Sequence, residues 1–293
     1  MRIDVSEIKC FRECTRKHEF SSRNRYHLQP KTPNDNLVFG TQFHECLHMM
    51  YLGTPIEKIH EFIQKEVTNA DYYKIMHTMV DGYYENVYPQ DKERYQIVDI
   101  EKSFSIPALS NEEGEVTVEF CGSIDMIAID RETNHLVGFE HKSGKNFRPD
   151  IYNLVDEQPR MYTIALSYIL KDFHDNGKFL DVTEIGPIYL NQVRKLKTQF
   201  SWVRTECSYT QKDLERFLKS AKDDAQRIYL HNYEALPQPG FMKCQMCDYA
   251  SLCEGIGYND VDMNYVNEEF GEEYQVRDVD HLDEKVERPG DET

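Results

Sequence analysis

The spacing of apolar residues changes twice along the chain, and these changes predict the order of its helices and strands. In the N-terminal third, apolar residues such as Ile59 and Ile63 recur three and four positions apart, which is typical of an amphipathic helix. This spacing predicts a helix from Ser6 to Phe20, a second from Thr41 to Leu52, and one long or two shorter helices from Ile56 to Tyr88.

The middle of the chain changes to the alternating pattern of strands. Segments rich in Val, Ile and Phe, separated by polar turn residues, predict strands over 96–106, 116–129 and 135–142. The spacing then predicts a helix from Asp156 to Phe173, strands over 183–190 and 198–204, and a helix over 210–229. This order predicts an α/β fold with a mixed central sheet flanked by helices.

Composition bounds the domain organisation without fixing it. With 293 residues and 40% hydrophobic content, the chain can form one large domain or two smaller ones. Glu254–Thr293 carries 14 acidic and 3 basic residues, which is −11 of the net charge of −18. We therefore expect a domain over 1–253 and an acidic, flexible tail over 254–293. The alternative is a tail that covers a basic groove as a phosphate mimic.

The segment Phe120–Lys142 contains two acidic residues within strands that look buried. If the chain turns at Arg131–Asn134, Asp125 and Glu140 lie equally far from the turn and face each other, roughly 5 Å apart at Cβ. Lys142, two residues beyond Glu140, shares its face. Opposed carboxylates repel unless a cation separates them, and hard oxygen ligands suit Mg²⁺ or Mn²⁺. The alternative is an isolated Glu-x-Lys ion pair on a solvated face.

These residues resemble the signature of RecB-type nucleases in the PD-(D/E)XK superfamily, and the quoted segments are Gly122-Ser-Ile-Asp125, Glu140-His141-Lys142 and Gln158-Pro-Arg-Met-Tyr162. The resemblance implies a restriction-endonuclease-like core in which Asp125, Glu140 and His141 belong to the metal site. It implies that Lys142 positions or activates the attacking water. Gln158 and Tyr162 would begin the next helix, with Asp156 as its cap, and face the site or the DNA. A core aromatic is the alternative for Tyr162.

A histidine near the N-terminus often completes the metal site of this family. Gly40-Thr-Gln-Phe-His44 resembles the family's Gly-x-x-x-His segment at the start of a helix, which implies His44 as a ligand. His48 lies one turn later on the same face and competes with it.

The eight cysteines favour metal ligation or burial over disulfides, because the N-terminus lacks an export signal. Three of them form a Cys-x2-Cys-x5-Cys array, at Cys244, Cys247 and Cys253. Iron-sulfur clusters and structural zinc usually take four ligands. The candidates for the fourth are Cys10, Cys14, Cys46, Cys121 and Cys207.

The segment Cys14-Thr-Arg-Lys-His-Glu-Phe20 resembles the Cys-Pro-Arg-Lys-aromatic segment of iron-sulfur nucleases of the RecB, AddB and CRISPR-associated types, with Thr15 in place of Pro. The resemblance implies that Cys14 is the fourth ligand of a 4Fe-4S cluster, although Cys10 could replace it and zinc is an alternative metal. A cluster joining the two ends of the chain would be structural, because it removes chain entropy from the unfolded state.

The resemblance, which covers residues 6–253, implies an Mg²⁺- or Mn²⁺-dependent deoxyribonuclease. It favours an exonuclease on single-stranded DNA or DNA ends, in repair, recombination, or phage or CRISPR DNA processing. A helicase or recombination protein would supply any unwinding. We expect no membrane segment and a cytoplasmic location. The basic residues that could contact the backbone are Arg16, Lys17, Arg23, Arg25, Lys145, Arg148, Arg194, Lys195 and Lys197.

The sequence is also compatible with two other functions. The chain could be a non-catalytic DNA-binding or assembly subunit that retains the nuclease fold, although its Asp, Glu and Lys are intact. It could also be a zinc-stapled enzyme of unrelated chemistry.

Overall fold

The computed structural model of the chain describes residues 1–32 and 34–277. Its strands are β1 (Arg2–Asp4), β2 (Leu28–Pro30), β3 (Tyr95–Ser110), β4 (Val116–Asp130), β5 (His135–Gly144), β6 (Ile185–Arg194), β7 (Trp202–Cys207) and β8 (Tyr274–Val276). Its helices are α1 (Val5–Glu13), α2 (Thr15–Ser21), α3 (Asp35–Tyr51), α4 (Ile56–Glu66), α5 (Ala70–Asn86), α6 (Tyr88–Arg94), α7 (Asp150–Val155), α8 (Glu157–Asp175), α9 (Gln211–Tyr229), α10 (Phe241–Gln245), α11 (Ala250–Ile256) and α12 (Met263–Phe270). Among the described residues, no helix is both long and apolar enough to cross a membrane.

The chain divides into two compact units. The central unit comprises Asn34–Pro107 and Ser123–Ala221. The terminal unit combines residues near both ends, within Met1–Pro33, Ala108–Gly122 and Lys222–Thr293.

A mixed sheet forms the core of the central unit. Strands β4 and β5 are antiparallel, β5 and β6 are parallel, and β6 and β7 are antiparallel. Helix α8 packs against β5 and β6, α3 against β5, and α7 against β7. The predicted α/β fold with a mixed sheet flanked by helices is therefore confirmed.

The hairpin of β4 and β5 has the predicted register. Its pairs run from Asp130 opposite His135 to Met126 opposite Phe139, and the chain turns at residues 131–134. Asn134 closes the turn with φ 58°, a left-handed conformation that Asn tolerates better than most residues.

Helices α3, α4 and α5 enclose a second apolar core in the central unit, whose buried side chains include Phe39, Phe43, Leu47, Ile59, Ile63, Met76, Met79 and Val80. Helix α3 begins at Asp35 rather than at Thr41, because the side chain of Asn34 caps it by accepting a hydrogen bond from the Asn36 amide. Gly40 therefore lies inside the helix, and the expectation that the Gly-x-x-x-His segment starts a helix is wrong.

The first predicted helix is interrupted in the structure. Cys14 adopts an extended conformation (φ −163°, ψ 111°) that ends α1 and precedes α2. Asp4, rather than Ser6, caps α1, since its carboxylate accepts a hydrogen bond of 2.7 Å from the Glu7 amide. The prediction of one continuous helix over 6–20 is wrong, because the apolar spacing does not reveal an extended residue at a helix junction.

The acidic C-terminal segment is folded as far as residue 277. Helix α11 crosses the expected boundary at 253, and β8 pairs with β2 from Leu28 opposite Val276 to Pro30 opposite Tyr274. The expectation of a flexible tail starting at 254 is wrong for these residues, because apolar side chains scattered among the acids share a core with Phe20 and Leu28. These side chains are Ile256, Val261, Met263, Val266, Phe270 and Tyr274. The rest of the expected tail, 278–293, lies outside the described residues.

Candidate active site

Asp125 and Glu140 lie immediately beyond the Met126–Phe139 pair of the β4–β5 hairpin. Asp125 Oδ2 accepts a hydrogen bond of 2.6 Å from the backbone N–H of His141. This bond ties the Asp125 carboxylate to β5, next to Glu140.

Glu140 is buried, with only 2% of its surface exposed. Lys142 Nζ donates to Glu140 Oε1, and Gln158 Nε2 donates to the same oxygen over 3.1 Å. Glu140 Oε2 is buried and has no hydrogen-bond partner among the described residues. A buried carboxylate oxygen without a donor is costly, so this atom is a suitable ligand for a cation.

Gln158 and Tyr162 hold Glu140 from the start of α8. Asp156 caps this helix as predicted, because its Oδ1 accepts from the Gln158 amide over 2.9 Å. Gln158 Nε2 also donates to Tyr162 OH over 2.7 Å. The Tyr162 ring is buried edge-on against Phe104. The structure therefore brings both residues to the carboxylate.

The surroundings of Asp125 change its ionisation. Burial and, after it, the nearby charge on Glu140 together raise the pKa of Asp125 to about 7, against the opposing charges of His44 and Lys142. Burial alone would lower the pKa of Lys142, but the charges on Glu140 and Asp125 outweigh that effect and raise it. The site thus holds more negative charge than its own residues readily neutralise.

His44 approaches Asp125 from α3. Its Nδ1 lies 3.5 Å from Asp125 Oδ2, whereas His48 Nδ1 lies 3.8 Å from Glu101 Oε1. Of the two competing histidines, His44 is therefore the one beside the Asp125 carboxylate. Both histidines line one small cavity, together with Leu47, Tyr51, Ile100, Glu101, Asp125 and His141.

His141 is held by a buried polar network. Arg204 Nε donates to Asn191 Oδ1 over 2.7 Å, which turns the Asn191 amide nitrogen toward His141 Nδ1 at 3.2 Å. An amide nitrogen can only donate, so this assignment makes Nδ1 the acceptor and leaves the proton of the neutral ring on Nε2. Burial is the main reason why the pKa of His141 lies well below its usual value, and the charge of His44 lowers this pKa further.

This arrangement does not fit the expected role of His141 as a metal ligand. One ring nitrogen already accepts a hydrogen bond, and the other carries the proton. The contact of His141 with the site runs through its backbone N–H, which fixes Asp125.

Five of the expected backbone-contacting cations lie at the end of β6 or in the segments that follow β5 and β6. The strand ends are adjacent, since Gly144 pairs with Arg194, and the five residues are Lys145, Arg148, Arg194, Lys195 and Lys197. The expectation fits less well for Arg16, which is buried and donates to the carbonyls of Gly257 and Asn259.

In the terminal unit, four of the candidate thiols line one cavity of about 440 Å³, and they are Cys14, Cys244, Cys247 and Cys253. Cys10 is not among its lining residues, and its Sγ lies 3.6 Å from Ser21 Oγ. The extended backbone of Cys14 separates it from the helical face on which Cys10 lies.

A family model for the PD-(D/E)XK nuclease superfamily matches residues 2–254. The chain belongs to the PD-(D/E)XK nuclease superfamily. Enzymes of this superfamily typically use divalent metals such as Mg²⁺ or Mn²⁺.

Solved structures with low sequence identity resemble this nuclease. A protein from Eubacterium rectale, described as "Putative exonuclease", is 11% identical, with a TM-score of 0.50 over 92% of this chain and 93% of that one. This likeness supports the fold. The crystal structure of SSO0001 matches with 12% identity and a TM-score of 0.37 over 87% of this chain and 86% of that one. No curated protein matches the sequence.

The residues of this PD-(D/E)XK nuclease fit a divalent cation. Two adjacent carboxylates, one of them with a buried oxygen that has no hydrogen-bond partner among the described residues, provide the hard oxygen ligands that Mg²⁺ and Mn²⁺ prefer. His44, beside Asp125, offers one imidazole nitrogen as a further ligand.

Sequence reasoning missed Glu101 in this nuclease site. It lies in β3 with φ 51° and lines the cavity beside Asp125. A positive φ in a residue other than Gly is uncommon, and such conformations concentrate at functional sites. No signal in a single sequence distinguishes Glu101 from the other charged residues of β3.

Proposed function

We propose that this protein is an Mg²⁺- or Mn²⁺-dependent deoxyribonuclease that hydrolyses phosphodiester bonds of single-stranded DNA or DNA ends, as an exonuclease. Asp125, Glu140 and His44 bind the metal. Lys142 acts on water and phosphate. The observation that carries the proposal is the in-register hairpin that brings Asp125 next to Glu140, whose second oxygen is buried without a hydrogen-bond partner in the described part of the chain.

The reaction is the attack of a water oxygen on phosphorus, with cleavage of the bond to the leaving sugar oxygen, which takes up a proton. A divalent ion held by Asp125, Glu140 and His44 would lower the pKa of the attacking water and would offset charge on the phosphate. Lys142 Nζ orients the water and stabilises charge on the phosphate in the transition state. Gln158 and Tyr162 keep Glu140 oriented.

Two features support a DNA substrate, and the second of them favours a single strand. The cations at the ends of β5 and β6 can follow the phosphate backbone of single-stranded or duplex DNA without reading its sequence. Helix α7, which connects this region to α8, exposes 59% of Tyr152, and an exposed aromatic ring can stack on an unpaired base.

We further propose that Cys14, Cys244, Cys247 and Cys253 bind a structural 4Fe-4S cluster. Sulfur ligands of one tetrahedral zinc ion would lie about 3.8 Å apart, given a Zn–S bond of about 2.3 Å. Among the described residues, no three of these thiols lie within 4.8 Å of one another. The cavity of about 440 Å³ supports a group larger than one ion.

The proposed setting is the cytoplasm, in DNA repair, recombination, or phage or CRISPR DNA processing. A helicase or a recombination protein would present the unwound strand. The proposal leaves the oligomeric state and the polarity of cleavage open.

The test is degradation of end-labelled DNA by the purified protein. We expect single-stranded DNA to be shortened from an end in Mn²⁺ or Mg²⁺, blunt duplex to be degraded more slowly, and EDTA to stop both reactions. Binding without degradation in either metal would instead indicate a non-catalytic DNA-binding subunit. Equal cleavage of circular and linear single strands would contradict exonuclease action.

A further inference from the structure

Two histidines and an aspartate lie together on α4 and α5 of the central unit. His60 is on α4, and His77 and Asp81 are one turn apart on α5. Residues 67–69 join the helices, which pack against each other, and such a short connection favours antiparallel neighbours. Ile59 and Ile63 direct α4 into the buried apolar core, while His60 stays accessible to solvent.

The polar atoms of the three side chains converge. Among the described residues, theirs is the one group of three or more His, Cys, Asp or Glu whose ligand atoms all lie within 4.8 Å of one another. His60 Nε2 lies 2.6 Å from Asp81 Oδ1, and His77 Nδ1 lies 3.8 Å from Asp81 Oδ2. The two imidazole rings are 4.7 Å apart.

Of the three residues, His77 has the weakest hydrogen bonding. Its distance of 3.8 Å to Asp81 exceeds that of a hydrogen bond, and its Nε2 is buried without a partner among the described residues. Tyr73 packs against the ring at 4.6 Å and restricts its orientation. Burial and the charge of His60 lower the pKa of His77, which favours the neutral form that binds metals.

We propose that His60, His77 and Asp81 bind one transition-metal ion of the Zn²⁺ type, with its fourth position open to water. Two imidazoles and one carboxylate suit Zn²⁺ better than Mg²⁺, which prefers oxygen ligands. The side chains are 37%, 23% and 43% exposed for His60, His77 and Asp81, so an ion and a water can reach them. A His60–Asp81 hydrogen bond alone would leave His77 without a role in the group.

The ion would fasten α4 to α5 and so stabilise the apolar core that these helices share with α3. Binding to the folded state alone raises the midpoint of unfolding as the metal concentration rises. The nuclease proposal is independent of this site, because none of its three residues takes part in the Asp125–Glu140 centre.

The test is calorimetric titration of the full-length, chelator-treated protein with Zn²⁺. Because Zn²⁺ can also occupy the cysteines and the carboxylate centre, the number of equivalents bound by each variant is compared with that of the parent protein. We expect Asp81→Asn and His60→Gln each to bind one equivalent fewer than the parent protein, or to bind that equivalent more than about 100-fold more weakly. Both variants should also lose part of the Zn²⁺-dependent rise in unfolding temperature.

His135→Gln is the matched control, because His135 faces Glu184 over 3.3 Å and belongs to no group of three possible ligands among the described residues. It should bind as many equivalents as the parent. The proposal is overturned if Asp81→Asn and His60→Gln retain the parent's stoichiometry and affinity. It is also overturned if His135→Gln loses the same equivalent, since the binding would then be a property of surface histidines.

Discussion

At the residue scale, the central feature is that the two carboxylate oxygens of Glu140 differ in hydrogen bonding. One accepts hydrogen bonds from Lys142 and Gln158, and the other is buried without a donor among the described residues. The ammonium and the amide fix the carboxylate while leaving one oxygen for a metal. Lys142 therefore has a role separable from metal binding.

Lys142→Ala should lower the rate of DNA cleavage by about 10²–10³-fold, because it removes a charge that acts on water and phosphate. Mn²⁺ binding should persist, since Asp125, Glu140 and His44 remain. Calorimetry with Mn²⁺ and single-turnover cleavage separate the two effects, with Lys171→Ala, at an exposed position on α8, as the control. Loss of Mn²⁺ binding in Lys142→Ala would contradict this role.

The residues that meet on the hairpin could be predicted from the sequence, because a strand has a period of two and the turn residues are easily recognised. Asp125, Glu140 and Lys142 follow from that register alone. The tautomer of His141 does not, because it depends on Asn191 and Arg204, which are distant in the chain. The positive φ of Glu101 leaves no signal in the sequence either.

At the scale of elements, an ion pair between the buried Asp130 and the partly exposed Arg94 lies at the turn of the β4–β5 hairpin. Asp130 Oδ2 accepts 2.7 and 3.2 Å hydrogen bonds from Arg94, and its Oδ1 accepts a 2.9 Å bond from the Glu132 amide. Burial alone would raise the pKa of Asp130, but these donors lower it below its usual value. The pair therefore stabilises the fold only while Asp130 is ionised.

Asp130→Asn should lower the free energy of unfolding by about 1–3 kcal/mol at pH 7. Because the folded-state pKa lies below an unfolded value of about 3.9, this stabilisation is present above about pH 4 and disappears as the pH falls through the folded-state pKa. Urea unfolding at several pH values measures the difference. Glu132→Gln, at an exposed position 3.4 Å from Arg94, should have little effect. A deficit in Asp130→Asn that persists fully in acid would contradict the argument.

The positions of the long strands β3, β4, β5 and β6 and of α8 could be predicted, because long strands and a capped helix leave strong periodic signals. The three-residue β1 was not predicted, and β7 begins four residues later than predicted. The break at Cys14 and the start of α3 at Asp35 could not be predicted. One is a single extended residue inside a helical pattern, and the other is set by the Asn34 cap in a segment that composition alone marks as a loop.

At the scale of the whole molecule, the proposed cluster and the catalytic residues belong to different units. The terminal unit assembles residues from both ends of the chain, and the proposed cluster would join Cys14 to the cysteines 230–239 positions later. The composition of residues 254–277 did not predict that they fold, because their apolar residues are few and widely spaced among acidic ones.

Cys14→Ser should give a colourless protein that is poorly soluble or readily proteolysed, because it removes a ligand of the proposed cluster. Cys10→Ser, Cys121→Ser and Cys207→Ser should remain brown. Visible absorbance, iron and sulfide analysis, and limited proteolysis measure the effect. If Cys10→Ser bleaches and Cys14→Ser does not, the ligand is wrong by four residues. Anaerobic protein with stoichiometric zinc and no iron would exclude the cluster.

The most direct test of the central claim is single-turnover cleavage of labelled single-stranded DNA in Mn²⁺ by the parent protein, Asp125→Asn and Glu140→Gln, with Glu157→Gln as the control. Each substitution changes charge while conserving side-chain shape, so circular dichroism should show an unchanged fold. We expect the cleavage rate of Asp125→Asn and of Glu140→Gln to fall by more than about 10³-fold, while Glu157→Gln cleaves at the parent rate. Near-normal cleavage by either Asp125→Asn or Glu140→Gln would contradict the assignment of the site.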